Sequence, residues 1–157
     1  WNDWDEILFD TIKNSKLKKI INPNIKIKGS DKAPSAIEKA LQNIENANLS
    51  DFISIEKKDF FQVEKETKGP LHLLTNPPYG ERLEGDMNML YQGIGDAFKQ
   101  SFPNTQAWMI SSNMEALKFV GLRPSRKIKL FNGKLESRLL LYPIYEGTKR
   151  IHKLKDK

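Results

Sequence analysis

A chain of 157 residues is one domain's worth, and 38% hydrophobic with 29% charged residues is an ordinary composition for a domain with a core. No apolar run approaches the ~20 residues that span a bilayer, and no signal-peptide pattern opens the chain, so a cytoplasmic protein off the membrane is expected. The absence of cysteine excludes disulfides and cysteine-ligated zinc, and two scattered histidines argue against any metal site.

The net charge of +6 is clustered. Lys13, Lys16, Lys18, Lys19, Lys26 and Lys28 form one group, Arg123, Arg126, Lys127 and Lys129 a second, and the tail after Thr148 a third. Clustered cations suit a phosphate-bearing partner. For the first group and the tail a lysine-rich solvated surface is the preferred reading, and for the second both readings stay open. The second contains arginine, the better phosphate fork.

In chain order, Trp1, Trp4, Ile7, Leu8 and Ile12 follow helical spacing, so residues 3 to about 20 read as an amphipathic helix, with Trp1 and Trp4 in its core face. Ile25 to Gly29 alternates as a strand. Pro34 sits at a helix first turn, and Ile37, Ala40, Leu41 and Ile44 carry that helix to about Ala47. Phe52 to Ile55 reads as a strand, residues 62 to 70 as a charged loop, and Leu71 to Thr75 as a short buried strand. A polar loop from Glu81 to Asn88 precedes a helix whose face is Met89, Leu90, Ile94, Ala97, Phe98 and Phe102. Ala107 to Ser111 is a strand, Ser112-Asn113 a cap, and Met114 to Val120 a short helix. Arg126–Phe131 and Lys134–Tyr142 alternate around Asn132-Gly133, a strong hairpin signal.

The chemistry concentrates after Thr75. Asn76-Pro77-Pro78-Tyr79 ends the apolar run abruptly. Pro77 bars Asn76 from helical dihedrals, and two prolines cannot continue a central strand, so the chain leaves the sheet in a stiff, extended turn. In open α/β sheets ligands bind at the carboxyl ends of strands. The Asn76 side-chain oxygen and the Pro77 carbonyl can accept N–H bonds, and Tyr79 can stack on a ring. Together they suit a planar group with an exocyclic amine. A plain Pro-Pro turn with a surface tyrosine is the bland alternative.

Asn76-Pro77-Pro78-Tyr79 resembles the signature of S-adenosylmethionine-dependent methyltransferases acting on exocyclic amines. The longer string Thr75 to Leu83, with Leu122 to Arg126 and Asn132 to Glu136, is similar to the bacterial large-subunit rRNA guanine-N2 methyltransferase family. Its full-length members carry an RNA-binding THUMP domain before the catalytic domain. The resemblance implies a Rossmann-like class I α/β fold, mostly parallel with a C-terminal antiparallel hairpin. It implies N2-methylation of a guanine in large-subunit rRNA, with S-adenosylmethionine as cofactor.

Carried over residue by residue, Asn76, Pro77, Pro78 and Tyr79 would hold the target base, and Asn76 would also contact the cofactor. Asp31 would bind the cofactor ribose, or else cap the Pro34 helix. Asp59 would accept from the adenine amine with Phe60 packing on that ring, or else be a loop acid beside a core phenylalanine. Arg82, Arg123, Arg126 and Lys127 would contact RNA phosphates, although Arg82 could equally pair with Glu81 or Glu84.

One departure stands out. The family's Gly-rich cofactor loop after its first strand has no counterpart among the nine glycines here. The expectation is therefore a partial methyltransferase domain, residues 1–147, with a basic tail at 148–157. The first strand and its loop would lie in an N-terminal remainder of the same protein. Without them the strands after Ile25 and after Leu71 would flank a gap, leaving two unpaired edges. Two other functions fit less of the pattern: a DNA adenine N6 methyltransferase, and a methyltransferase-like RNA-binding module without a cofactor site.

Overall fold

The computed structural model describes residues 3–21, 24–78 and 84–147. They fall into two compact units, Trp1–Lys58 and Asp59–Lys157.

In the first unit, helix α1 (Glu6–Leu17) begins where Asp5 leaves helical geometry and accepts the Leu8 amide at 2.9 Å. That cap trims the expected start at residue 3. None of its residues is buried, so its apolar face is uncovered. Trp4 corrects the expectation of a core position: it is 58% exposed and leans on Phe9 at 4.9 Å. Trp1 lies outside the described residues.

Strands β1 (Ile27–Asp31) and β2 (Ile53–Lys57) pair in parallel, Ile27 opposite Ile53 and Asp31 opposite Lys57. Parallel neighbours need a crossover, supplied by helix α2 (Pro34–Asn46) with Pro34 in its first turn.

The second unit opens with a 3-10 turn at Phe60–Gln62. Strand β3 (Leu71–Thr75), helix α3 (Glu84–Ser101), strand β4 (Thr105–Ser111), a 3-10 turn at Ala116–Val120, and strands β5 (Arg126–Asn132) and β6 (Leu135–Ile144) follow. The sheet order is β3-β4-β6-β5, with β3 and β4 parallel and β6 antiparallel to both neighbours.

Its core lies between α3 and one sheet face. Met87, Tyr91, Ile94 and Phe98 pack on Ala107 and Met109 of β4 and on Leu140, Tyr142 and Ile144 of β6. Helix α3 starts inside the expected Glu81–Asn88 loop, and Met89, expected on its buried face, is 73% exposed. The buried series Met87, Tyr91, Ile94, Phe98 advances by four, three and four residues, which is helical period, and Met89 lies off that stripe.

The hairpin turn also sits one residue later than expected. Asn132 pairs with Leu135, so Gly133 and Lys134 form the turn, with Gly133 at φ 61°. A positive φ in the first turn position favours glycine.

The described strands form two sheets, β1-β2 and β3-β4-β6-β5. Among the described residues, β1 pairs with β2 alone and β3 with β4 alone. β3 is half-buried on one face only, and Leu74 on the other is 73% exposed.

Candidate functional site

Thr75, the last residue of β3, lies opposite Met109 of β4. Asn76 then leaves the carboxyl edge exposed, Pro77 is buried, and Pro78 is exposed again. The buried ring fixes the turn while the amide before it stays accessible. Tyr79 and Arg82 lie outside the described residues.

The neighbouring edge of β4 is held by a polar cluster. The Ser111 hydroxyl is 2.6 Å from the Tyr91 hydroxyl, and both side chains are fully buried. Ser111 Oγ also accepts the Asn113 amide at 3.0 Å, and Asn113 Oδ1 accepts from the Ala116 amide at 2.9 Å. Asn113 thus shapes the turn ahead of Ala116–Val120, whose N-cap position Glu115 holds, and Ser111, one residue before the expected Ser112, makes the second bond. The Tyr91–Ser111 pair ties α3 to the carboxyl end of β4, the strand beside β3. Nearby, burial first and the Tyr91 ring second push the Tyr142 phenol up to about 12.

Asp31 is the exposed last residue of β1. Its Oδ1 accepts the Ala33 amide at 2.7 Å, and its carbonyl accepts the Lys58 amide at 3.0 Å. Ala33 holds the N-cap position of α2, without a side-chain bond. Asp31 therefore shapes the turn ahead of the helix instead of capping it, and that turn uses one of its two carboxylate oxygens.

Asp59 is half-buried and accepts the Phe61 amide at 3.0 Å, opening the 3-10 turn. The Phe60 ring stacks on Phe102 at 5.9 Å and meets Phe98 edge-on at 6.1 Å. Phe98 in turn packs on Tyr142, which pairs with Ala107. Phe60 therefore sits toward the amino half of β4, away from the Asn76 edge.

Arg123, Arg126 and Lys127 are all exposed. Arg126 and Lys127 are adjacent on β5, opposite Leu141 and Leu140, so they project from opposite faces and do not make one patch. A different cationic set is organised. Glu136 holds Lys129 at 2.7 Å and Arg138 at 3.7 Å. The hydrogen bond from Lys129 holds its carboxyl below the ordinary range. Period-two spacing of Lys127, Lys129 and Phe131 is the sequence signal for that face.

Among the described residues no group of metal-ligating side chains forms a site, and no helix is long and apolar enough to cross a membrane. A shallow cleft of ≈ 350 Å³ lies at the amino ends of β3 and β4, between Pro70 and Gln106, opposite the Asn76 edge.

A mostly parallel α/β arrangement, closed by an antiparallel strand from a terminal hairpin and carrying Asn-Pro-Pro at a strand's carboxyl end, defines a Rossmann-like class I methyltransferase fold. The chain belongs to the family described as RMKL-like, methyltransferase domain, whose model matches residues 4–140.

The chain is 32% identical over 149 residues to the ribosomal RNA large subunit methyltransferase K/L of Shewanella sp. (strain MR-4). That match covers 94% of this chain and 21% of that protein, so the chain spans about a fifth of such a relative. The solved structure of "a possible methylase" from Clostridium difficile 630 superposes with a TM-score of 0.79 at 30% identity, over 95% of this chain and 40% of that one. A protein crystallised with SAH shares the fold at a TM-score of 0.77 and 23% identity, over 94% of this chain and 40% of that one.

Proposed function

We propose that this chain is the part of an S-adenosylmethionine-dependent rRNA methyltransferase that receives the target base, and that the base is a guanine methylated at N2. The observation that carries the reading is the Asn76-Pro77-Pro78 turn at the carboxyl end of β3, with its amide exposed and its central proline buried. The similarity to ribosomal RNA large subunit methyltransferase K/L supports the substrate class.

The cofactor fits the residues present in part. Asp31 has a carboxylate oxygen to offer ribose hydroxyls, and Asp59 one to offer the adenine amine, each beyond the oxygen used in its own turn. Phe60 anchors that second turn through Phe98 and Phe102. Nothing in the 157 residues matches the glycine turn that lets backbone approach the ligand closely. We assign that turn, the strand before it and a THUMP domain to other parts of a longer protein, in which residues 1–147 form the methyltransferase portion and 148–157 a basic tail.

Bound S-adenosylmethionine supplies an electrophilic methyl group. The chain's own residues prepare the nucleophile. A guanine N2 lone pair is delocalised into the ring and reacts poorly. Acceptors at the Asn76 side chain and the Pro77 carbonyl bind its two N–H groups, orient the nitrogen and favour pyramidal geometry. The proton leaves N2 after attack, so no strong base is required. The base must be unstacked to enter, and Tyr79 replaces part of the lost stacking.

Product analysis tests the reading. Large-subunit rRNA treated with the complete enzyme and labelled cofactor, then digested to nucleosides, should yield labelled N2-methylguanosine. Labelled N6-methyladenosine would favour the adenine enzyme instead. No label in either base would favour an RNA-binding module.

A further inference from the structure

The β5–β6 hairpin carries chemistry that the base pocket does not use. Between Arg126 and Ile144 there are five cations against the single carboxylate of Glu136. Antiparallel register sorts them by face. Lys127 lies opposite Leu140, Lys129 opposite Arg138, and Phe131 opposite Glu136, so these residues share one face. On that face Phe131 is 65% exposed, and the Lys129 ammonium sits 5.1 Å from its ring centroid. Lys129 also pairs with Glu136, which reaches Arg138 as well. Lys129 and Arg138 are thus both drawn to Glu136, beside a large exposed ring.

The hairpin's place in the sheet connects it to the candidate site. Arg138 pairs with Ser111, the last residue of β4, and Leu135 to Ser137 continue past that edge. Three residues of strand overhang the carboxyl edge by ~10 Å. The Asn76 turn leaves the same edge two strands from β6 and three from β5, the strand that carries Phe131, at lateral distances of ~10 Å and ~14 Å. An exposed aromatic ring amid cations is how single-stranded nucleic acid is held without regard to sequence, one base on the ring and its phosphates on the cations.

We propose that the Lys127–Lys129–Phe131–Arg138 face of this hairpin binds single-stranded RNA next to the target nucleotide, with Phe131 stacking on a flanking unpaired base. Lys129 covers one side of the ring, and the base takes the other. The proposal rests on the rRNA reading of the Asn76 site for its ligand, yet its test is a binding measurement that needs no methyl transfer.

The experiment is fluorescence anisotropy of a labelled single-stranded RNA, and of the same sequence closed into a duplex, with the complete protein. Phe131→Ala should weaken single-strand binding about tenfold, leave its salt slope unchanged, and abolish the preference over duplex. Phe131→Trp should restore it. Lys129→Gln should lower the slope of log affinity against log salt by ~0.7, the value for one phosphate on a single strand. Because Phe131 is exposed, melting temperatures of the variants should match the parent, which separates lost contact from lost fold. A Phe131→Ala protein that melts normally and binds single strands like the parent overturns the proposal. Intact hairpin-dependent binding with no methylated product would overturn the enzyme reading alone.

Discussion

The hydroxyls of Tyr91 and Ser111 lie 2.6 Å apart, and neither side chain reaches solvent. This contact joins the first half of α3 to the end of β4, the strand beside the Asn-Pro-Pro turn. A buried hydroxyl that loses its partner bears its full desolvation penalty, so Ser111→Ala should destabilise the unit by about 1–3 kcal/mol. Tyr91→Phe should cost less, because Ser111 Oγ keeps the Asn113 amide. The double variant should fall short of the sum, because both single changes remove the same contact. Urea unfolding of the four proteins measures this.

Gly95 lies on α3 where a Cβ would run into the backbone carbonyl of Val120, far inside van der Waals contact. In an open helix, Gly→Ala stabilises by roughly 1 kcal/mol. Here the sign reverses, because backbone cannot swing aside as a side chain can. Gly95→Ala should lower stability by about 1–3 kcal/mol, the usual range for overpacking. A shift of the urea midpoint to higher concentration would show that the 3-10 turn at Ala116–Val120 yields freely.

Tyr142 gives the fold an alkaline limit. Its folded value of about 12 lies above the ordinary 10.0 of a tyrosine, so the folded state keeps a proton that the unfolded state releases. Stability from this group is complete below pH 10.0 and declines as pH rises toward about 12. Urea midpoints across that range should fall more steeply for the parent than for Tyr142→Phe. Parallel curves would contradict the assignment.

Asp31 separates two roles by substitution. Asn retains the oxygen that accepts the Ala33 amide but loses the charge. In the complete enzyme, Asp31→Asn should weaken binding of S-adenosylhomocysteine by calorimetry while its melting temperature holds. Unchanged affinity in both Asp31→Asn and Asp31→Ala would leave Asp31 as a turn residue only.

Much of this was legible in the sequence, and the misses have physical causes. Leu71 to Thr75 was readable because Gly69-Pro70 and Pro77 bracket it, and the Pro34 helix because proline marks its start and its apolar residues keep helical spacing. The lack of a glycine turn pointed to a gap between the strands after Ile25 and after Leu71, and those strands do stand in two different sheets. Tyr91 escaped notice because an apolarity pattern discounts a phenol, although a buried hydroxyl can be answered, as Ser111 answers this one. Met89 was misplaced for the complementary reason, as an apolar residue off the stripe. Asn132-Gly133 signalled a turn correctly but not its register, which Asn132–Leu135 pairing moved by one residue. Trp4 and α1 have a clear helical pattern, but pattern says nothing of what covers the face.

The most direct test is Asn76→Ala in the complete enzyme, with single-turnover methyl transfer and rRNA affinity measured side by side. Loss of an acceptor that acts on the reacting amine should cut the transfer rate by about 10²-fold, by analogy with a single oxyanion-hole donor. RNA affinity, held by phosphate and stacking contacts elsewhere, should change by no more than about twofold. Equal losses in rate and affinity, or no loss in rate, would contradict the claim that this turn holds the reacting amine.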